Sequence, residues 1–341
     1  PIIAEEVRTL NKDENPVFKD AEARYFLAYK NNEIVGRVAA IINWLEVNGQ
    51  SEKKMRFGWF DTIDDVEVTK LLLEKVHAIG KENNLLYVEG PVGFSNLDKV
   101  GILTEGFDEL GSMITWHNHA YYAEHFKALG YEVGKAYSEN VMEFKNILQE
   151  YFTRVQNMVK KRYQLRALNF SNNKDIMSYA DEMFDVFSIS HSVLSSFVEI
   201  NQEQRDYFKK KFIGFLNPEY VKFVLDKDDK LVGFGIVTPS YAKALQKMNG
   251  KLFPFGIYHL LKAKKKAKTV TFYLIGVLPE YQNKGVTAII FEEFWQTFNK
   301  KGIELCVRGP ELDDNEAIQK LWKNFKPVTH KRRCTFKKVI A

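Results

Sequence analysis

The chain carries its most informative pattern in Tyr273-Leu-Ile-Gly-Val-Leu-Pro-Glu-Tyr-Gln-Asn-Lys-Gly-Val-Thr-Ala-Ile-Ile-Phe-Glu-Glu-Phe-Trp295. A run of β-branched and aromatic residues from Thr269 to Val277 leads to a break at Pro279 and a polar turn around Gly285. Apolar residues then recur with helical spacing, beginning at Ile289 and Ile290. This order predicts a strand, a loop and a helix.

The loop of this pattern is a candidate phosphate site. A loop that opens a helix presents backbone N–H groups without partners inside the helix, together with the positive end of the helix dipole. We therefore expect the segment from Asn283 to Ala288 to be able to hold a phosphate. Gly285 would let the chain approach the phosphate closely, because glycine has no side chain.

The order Val277-x-Pro279-x-x-Gln282-x-x-Gly285-x-Thr287 resembles the pyrophosphate loop of the GNAT superfamily of acyl-CoA acyltransferases. The resemblance implies that the preceding strand carries a bulge and parts from its neighbour, and that the gap receives the pantetheine arm of acyl-CoA. This sequence departs from the family at Thr287, where Gly or Ala is usual. The alternative is an ordinary strand-loop-helix connection. The residues that the resemblance assigns to acyl-CoA are Ile275, Gly276, Val277, Gln282, Asn283, Lys284, Gly285, Val286, Thr287 and Ala288.

The resemblance also implies a reaction, in which an amine attacks the thioester carbonyl directly. The backbone N–H of Val277 would bind the carbonyl oxygen as charge develops on it. A base must take a proton from the amine, and an acid must protonate the leaving thiolate. In the family this acid is often a tyrosine on the helix after the next strand.

The matching region, from Asn315 to Phe325, contains no tyrosine, and counting along it leads to Trp322 or Lys320. Either another residue supplies the proton, with Tyr273 and Tyr281 nearest in sequence, or the transfer has no dedicated acid. A strand tyrosine is often a core or surface aromatic residue instead. The candidate catalytic residues are Val277, Tyr273 and Asn315.

The two halves of the chain repeat one order of elements. Leu231–Val237 parallels Ile34–Ala40, and Val307-Arg-Gly-Pro310 parallels Val88-Glu-Gly-Pro91. The shared order predicts two copies of one fold in tandem. Together with the resemblance it implies an α/β (α+β) fold of two tandem GNAT-like domains, each a mixed central sheet flanked by helices. We place these domains at residues 1–146 and 147–341.

The first half is predicted to contain a hairpin with a turn at Asn31-Asn32, and further strands and helices. A long glycine-punctuated connection should run from Val92 to Asn118. The predicted strands are 25–29, 34–44, 55–63, 85–89 and 141–144, and the predicted helices are 67–82 and 121–129.

The first copy lacks the loop chemistry of the second. Its strand is followed by Asp64-Asp65-Val66-Glu67, and the helix begins without a glycine loop. Carboxylates at a helix start would repel a phosphate. We therefore expect a first domain without a cofactor site, which serves as a scaffold or as part of the acceptor pocket. The alternative interpretation of the acidic residues is that they cap the helix and are solvated.

A lysine-rich segment from Tyr241 to Lys268 has no counterpart in the family pattern. It contains eight lysines and no acidic residue, interleaved with apolar side chains. Such a segment could attract acidic lipid headgroups, the phosphates of CoA or a nucleic acid. The alternative is a solvated lysine face on a helix that packs on the core. Pro254 and Gly256 argue against one long helix lying on a membrane.

Composition excludes several other classes of protein. The 341 residues carry a mild net charge of +5, and no apolar run approaches 18 residues. No signal peptide is visible, so the cytoplasm is the expected location. We expect Cys306 and Cys334 to be reduced residues in strands. We expect no metal, because nothing completes a site around the histidines, which are His117, His119 and His125. We interpret the serine clusters, Ser190-His191-Ser192 and Ser195-Ser196, as polar residues on a helix face.

The sequence predicts an acyl-CoA-dependent N-acyltransferase that moves an acyl group from CoA to a small-molecule or peptide amine. The acceptor would lie where the two copies meet, and no specific nucleic acid is expected. The alternative is a catalytically inactive binding or scaffold protein of the same fold, attached to anionic membrane surfaces through Tyr241–Lys268.

Overall fold

The computed structural model describes residues 1–49, 52–95, 97–146, 149–192, 194, 197–322 and 325–340. The chain forms two compact units, each of which includes a terminal segment that is distant in sequence. The N-terminal unit contains Asn11–Glu139, Pro310–Asn315 and Thr329–Ala341, and the C-terminal unit contains Pro1–Leu10, Asn140–Gly309 and Glu316–Val328. The division of the sequence at residues 146 and 147 stays a prediction.

The helices and strands alternate along the chain. In order they are α1 (Ile3–Leu10), β1 (Ala21–Lys30), β2 (Glu33–Asn43), β3 (Lys54–Thr62), α2 (Val66–Glu82), β4 (Tyr87–Gly90), β5 (Ile102–Glu105), α3 (Tyr121–Ala128), β6 (Glu132–Glu143), α4 (Gln149–Tyr163), β7 (Arg166–Asn169), α5 (Asn173–Ser178), α6 (Ala180–His191), α7 (Gln202–Phe212), β8 (Val221–Leu225), β9 (Leu231–Pro239), α8 (Ala242–Met248), α9 (Gly256–Lys266), β10 (Thr269–Val277), α10 (Val286–Lys301), β11 (Leu305–Leu312), α11 (Glu316–Trp322) and β12 (Val328–Val339).

The N-terminal unit has a mixed sheet in the order β1-β2-β3-β4-β12-β6, with β5 paired to β12. The hairpin β1–β2 forms as predicted, because Asn31 and Asn32 both adopt positive φ angles, of 53° and 64°, that suit a two-residue turn. Strand β3 pairs in parallel with β4, and β12 pairs antiparallel with β4. The last strand of the chain is therefore internal to this sheet.

The core of the N-terminal unit lies between this sheet and two helices. Helix α2 buries Val68, Leu72, Val76 and Ile79, a spacing of three to four residues that keeps them on one face. Phe126 of α3 stacks on Phe336 of β12 with ring centroids 5.1 Å apart. The last strand therefore contributes to the core as well as to the sheet.

The C-terminal unit has a sheet in the order β7-β8-β9-β10-β11, in which β10 and β11 are parallel and the other pairs antiparallel. Two glycines show which helices cover its faces. A Cβ at Gly235 would lie 2.7 Å from Ile290 of α10, and a Cβ at Gly276 would lie 2.8 Å from Ser190 of α6. Helix α10 therefore covers one face near β10, and α6 covers the other.

The structure confirms most predicted elements and corrects two. The long connection after Val92 contains a strand, β5, that the sequence prediction missed, and β6 begins at Glu132 rather than near Val141. Cys306 and Cys334 lie in strands as predicted, and both are free.

Among the described residues, no helix has both the length and the apolar character needed to cross a bilayer.

A buried ion network ties the helical turn after β2 to β3 in the N-terminal unit. The Glu46 carboxylate, 1% exposed, lies 2.7 Å from Lys54 Nζ and accepts two hydrogen bonds from Arg56, at 2.7 and 2.8 Å. Burial alone would raise the pKa of Glu46, but Arg56 and Lys54 outweigh it and lower this pKa to about 2. Since removing one partner leaves buried charges unpaired, the network is costly to break.

We predict that Glu46→Gln lowers the free energy of unfolding by about 3 kcal/mol at pH 7. Because the pKa of Glu46 is depressed in the folded state, its contribution is complete above about pH 4.5 and is lost as the pH falls towards 2. Urea denaturation at pH 7 and at lower pH should show the difference between variant and wild type shrinking with acid. Glu82→Gln is the control, since Glu82 pairs with Arg24 at an exposed site. Equal effects of the two substitutions would contradict the prediction.

Candidate functional site

Strand β10 parts from β11 in the C-terminal unit. The two strands pair in parallel only from Thr269–Leu305 to Phe272–Arg308. On its other edge β10 pairs with β9 as far as Val277, with a register shift between Phe272 and Leu274. Tyr273 is therefore the extra residue of a β-bulge, which bends and twists the strand at the point where pairing with β11 stops.

The parted strand directs backbone groups away from β9. The N–H of Leu278 donates to Val232 O at 3.0 Å, so position 278 faces β9. Since the hydrogen-bonding direction alternates along an antiparallel strand, Gly276 also faces β9, while Ile275 and Val277 face the opposite edge. These two residues point their backbone groups towards the side where β11 has separated.

The loop after β10 forms tight turns and then opens α10. A 3-10 turn spans Pro279–Tyr281, and Asn283 and Gly285 have positive φ angles of 61° and 81°. The N–H groups of Asn283, Gly285, Val286 and Thr287 have no backbone acceptor among the residues that the structure describes. They remain available at the helix start.

Three amides of the loop bond within it, and two of them, those of Lys284 and Ala288, lie in the segment 283–288 that was expected to hold a phosphate. The N–H of Gln282 donates to Leu278 O at 3.1 Å, and the N–H of Lys284 donates to Tyr281 O at 3.3 Å. The N–H of Ala288 donates to Gly285 O at 3.0 Å. Tight turns satisfy these three groups internally, so the loop offers fewer amides than its length suggests.

Two side chains support this loop. Gln282 Nε2 donates to Val277 O at 3.1 Å, which links the loop to the end of β10 and occupies that carbonyl. Lys284 Nζ lies 5.3 Å from the ring centroids of both Tyr163 and Tyr281. An ammonium group held over aromatic faces keeps a positive charge beside the helix start.

Gly285 is required by both conformation and packing. Its φ of 81° is unfavourable for a residue with a side chain. A Cβ at this position would lie 2.9 Å from Val159 Cγ2 and 3.4 Å from Val155 Cγ1, both on α4. Helix α4 therefore packs directly against the glycine that opens α10.

The corresponding position in the N-terminal unit is closed. The N–H of Val92 donates to Phe57 O at 2.7 Å, beyond the last β3–β4 pair, and a Cβ at Gly58 would overlap Val92 O. The start of α2 is capped by Asp65, whose Oδ1 accepts the N–H of Glu67 at 3.0 Å. By contrast, α10 has neither a side-chain cap nor an acidic residue in its first turn.

Helix α6 places Ser190 against the parted strand, and His191 follows it on the same helix. Ser190 Oγ lies beside Gly276, and His191 Nδ1 lies 2.9 Å from Ser190 Oγ and 3.0 Å from Phe187 O. Because a carbonyl oxygen can only accept, we assign the proton to Nδ1. Burial lowers the pKa of His191, which keeps the imidazole neutral and leaves a lone pair on Nε2.

No protein-family model matches the chain. Protein YghO of Escherichia coli K12 is 27% identical over 161 residues, which cover 47% of this chain and 41% of that protein. Bacterial ceramide synthase of Caulobacter vibrioides is 28% identical over 133 residues, which cover 38% of this chain and 34% of that protein. The matched part of the chain thus spans less than half the length of these curated relatives.

The solved structures match over most of the chain. A tandem GNAT protein from the clavulanic acid biosynthesis pathway matches 96% of this chain and 85% of its own, with a TM-score of 0.53 and 8% identity. The chain has the tandem GNAT fold. A GCN5-related N-acetyltransferase from Sphaerobacter thermophilus matches 93% of this chain and 80% of its own, with a TM-score of 0.51 and 8% identity. Such likenesses establish the fold, so the chemistry must come from the site.

Within the GNAT fold, the predicted catalytic residues have different surroundings. Tyr273 makes the bulge, and its ring lies 6.2 Å from that of Phe212. Asn315 belongs to the N-terminal unit, and its N–H donates to Leu312 O at 3.1 Å. Trp322, at the position counted for the family tyrosine, packs in the core 5.0 Å from Phe272 between ring centroids. The catalytic roles of Tyr273 and Asn315 stay predictions.

Ser190 and His191 were interpreted as polar residues on a helix face, and they lie on α6, partly exposed. No local pattern could have shown that Ser190 packs against Gly276. Ser195 and Ser196 of the same prediction lie outside the described residues. Two of the three histidines considered for a metal have other contacts: His125 Nδ1 lies 2.9 Å from Thr69 Oγ1, and His119 stacks on Tyr121. The described residues contain no group of three or more potential metal ligands.

We predict that Gly285→Ala destabilises the C-terminal unit by about 1–3 kcal/mol, because the new Cβ meets Val159 and the left-handed backbone becomes strained. Urea denaturation measures the effect. Gly214→Ala is the matched control, since a Cβ there meets nothing within 4 Å. The prediction fails if both substitutions leave the midpoint unchanged.

Proposed function

We propose that this protein is an N-acyltransferase that takes its acyl group from an acyl-CoA. The observation that supports this most is the end of β10–β11 pairing at Phe272–Arg308, directly before an uncapped helix start. A parted strand and a set of unpaired amides are the two features that a long thioester with a diphosphate requires.

The loop would hold the diphosphate of CoA. The amides of Asn283, Gly285, Val286 and Thr287 would donate to its oxygens, and the N-terminal end of α10 would add a favourable dipole. Lys284 would supply a charge near the same place. The amides of Gln282, Lys284 and Ala288, which form hydrogen bonds within the loop, would keep its turns rigid.

The gap beside β10 would receive the pantetheine arm and the thioester. The N–H of Val277 faces this side of the strand, whereas its carbonyl is occupied by Gln282. We infer that this N–H donates to the thioester oxygen as negative charge develops there. Gly276, which has no side chain, lets Ser190 of α6 pack directly against β10.

His191 would act as the general base. Its Nε2 would accept the proton of the amine as the C–N bond forms, and the C–S bond would break to release CoA thiolate. We infer that Tyr281, in the loop after β10, protonates this thiolate, because its phenolic O–H carries a proton at neutral pH. Ser190 would hold the imidazole through Nδ1.

The name of one relative agrees with this class of reaction. Bacterial ceramide synthase is named for a product that contains an amide, and amide formation on an amine is the chemistry proposed here. A long-chain amino alcohol therefore belongs in any panel of acceptors, beside small amines and peptides.

The alternative is a binding protein of the same fold that has lost activity. Trp322 favours it, because an indole buried among phenylalanines cannot replace the tyrosine acid of the family. Binding of acyl-CoA without release of free CoA, across the whole panel of amines, would support this alternative over the transferase.

We predict that Lys284→Glu weakens acyl-CoA binding by about tenfold or more, since it adds a negative charge at the start of α10. Isothermal titration calorimetry with acetyl-CoA and longer acyl-CoAs measures the affinity. Lys300→Glu, the same charge change in the exposed last turn of this helix, should bind as the wild type does. An absence of heat and of thermal shift with every acyl-CoA would refute the proposed donor.

We predict that His191→Asn lowers turnover by about 10²–10⁴-fold and leaves acyl-CoA affinity unchanged. Asparagine keeps a donor near the Nδ1 position and removes Nε2. In the wild type the rate should fall with acid at a pH below the usual imidazole pKa, because burial lowers the pKa of His191. This acid limb should be absent in the variant, as measured by free-CoA release. His119→Asn is the control, and an unchanged pH profile in His191→Asn would exclude the base.

A further inference from the structure

The insertion between β9 and β10 exposes an unusual set of apolar side chains. It consists of α8, the connection 249–255 and α9, which we call the aromatic hairpin. Its most exposed apolar residues are Phe255 at 76%, Phe253 at 69%, Tyr258 at 61%, Leu261 at 54% and Ile257 at 40%. Five large apolar side chains so close in sequence form a surface patch that a core-packing role does not explain.

The same hairpin is strongly basic. Its lysines include Lys251 in the connection and Lys262, Lys265 and Lys266 on α9, all of them exposed. No aspartate or glutamate occurs anywhere from Tyr241 to Lys268. The charge on the hairpin is therefore not neutralised by its own residues.

The apolar and basic residues of α9 are arranged along one face. Ile257, Tyr258, Leu261, Lys262 and Lys265 follow one another at helical spacing on the exposed side. The apolar members lie near the Phe253–Phe255 tip, and the last lysines lie roughly 10 Å further along the axis. This separation is close to the depth at which amphipathic elements enter a lipid interface, about 5–10 Å.

Helix α1 extends the apolar patch. The N–H of Ile3 donates to Gly250 O at 3.0 Å, which places the start of α1 against the aromatic hairpin. Ile3 and Val7 of this helix are 51% and 60% exposed. The aromatic hairpin is also held through α9, because Lys264 Nζ donates to Leu216 O at 3.3 Å. Leu216 follows α7 in the chain.

We propose that the aromatic hairpin docks the protein on the surface of an anionic lipid bilayer. Phe253, Phe255 and Tyr258 enter the interface, and the lysines of α9 pair with acidic headgroups. An anionic bilayer is the partner that satisfies all parts of the surface, since a duplex would use the lysines and leave the aromatic tip in water, and a single strand would leave the aliphatic Ile257 and Leu261 exposed. This docking goes beyond acyl transfer and does not depend on it.

Co-sedimentation with vesicles tests the proposal. The full chain should bind vesicles of phosphatidylcholine with added phosphatidylglycerol, and bind phosphatidylcholine alone far more weakly. Phe253→Ser/Phe255→Ser should lower the bound fraction by at least about tenfold. Lys262→Glu/Lys265→Glu/Lys266→Glu should lower the affinity roughly a hundredfold, and added NaCl should weaken wild-type binding.

Matched variants at other exposed positions control for net charge and hydrophobicity. Tyr29→Ser/Leu86→Ser and Lys12→Glu/Lys75→Glu/Lys174→Glu should bind as the wild type does. Equal losses in control and hairpin variants would overturn the proposal. So would the absence of vesicle binding, or binding to a duplex oligonucleotide that exceeds vesicle binding and is unaffected by Phe253→Ser/Phe255→Ser.

Discussion

One extra residue in β10 sets the backbone geometry of the candidate site in the C-terminal unit. The bulge at Tyr273 changes the twist of the strand, and pairing with β11 stops at the adjacent pair, Phe272–Arg308. The backbone groups of Ile275 and Val277 are then directed to the separated edge. If β10 and β11 stayed paired here, these backbone groups would form hydrogen bonds within the sheet. The loop would then follow a strand with no open edge.

The two units show how the same topology can be open or closed. In the N-terminal unit, Val92 continues the pairing by donating to Phe57, and Asp65 occupies the amides at the start of α2. In the C-terminal unit, pairing stops early and Gly285 opens a helix that no side chain caps. The difference lies in a few local groups, whereas the packing of helices on the sheets is retained.

The parts of the structure that sequence could predict are those whose causes are local. The turn at Asn31-Asn32 and the loop at Gly285 follow from backbone preferences of the residues themselves. Strand β6 was predicted only in part because its polar residues look like surface. Glu139 is in fact buried and paired with Lys331 and Arg333, almost two hundred residues later.

The candidate site shows the same limit. The loop amides could be anticipated from Gly285 and its neighbours, and the parted strand from the resemblance to the GNAT loop, but the amides of Lys284 and Ala288 are used by the tight turns. The contact between Ser190 and Gly276 could not be anticipated, because it depends on α6 lying against β10. Side chains that meet through helix-to-sheet packing leave no pattern in the order of residues.

The position of β12 has a consequence for biosynthesis. This strand lies between β4 and β6 and supplies Phe336 to the core of the N-terminal unit, yet it is made after nearly everything else in the chain. When residues 11–139 have left the ribosome, the N-terminal sheet still lacks β12, the strand between β4 and β6. The N-terminal unit therefore lacks an inner strand and keeps exposed strand edges until translation passes residue 339, so its sheet is completed only after the residues of the C-terminal unit have been made.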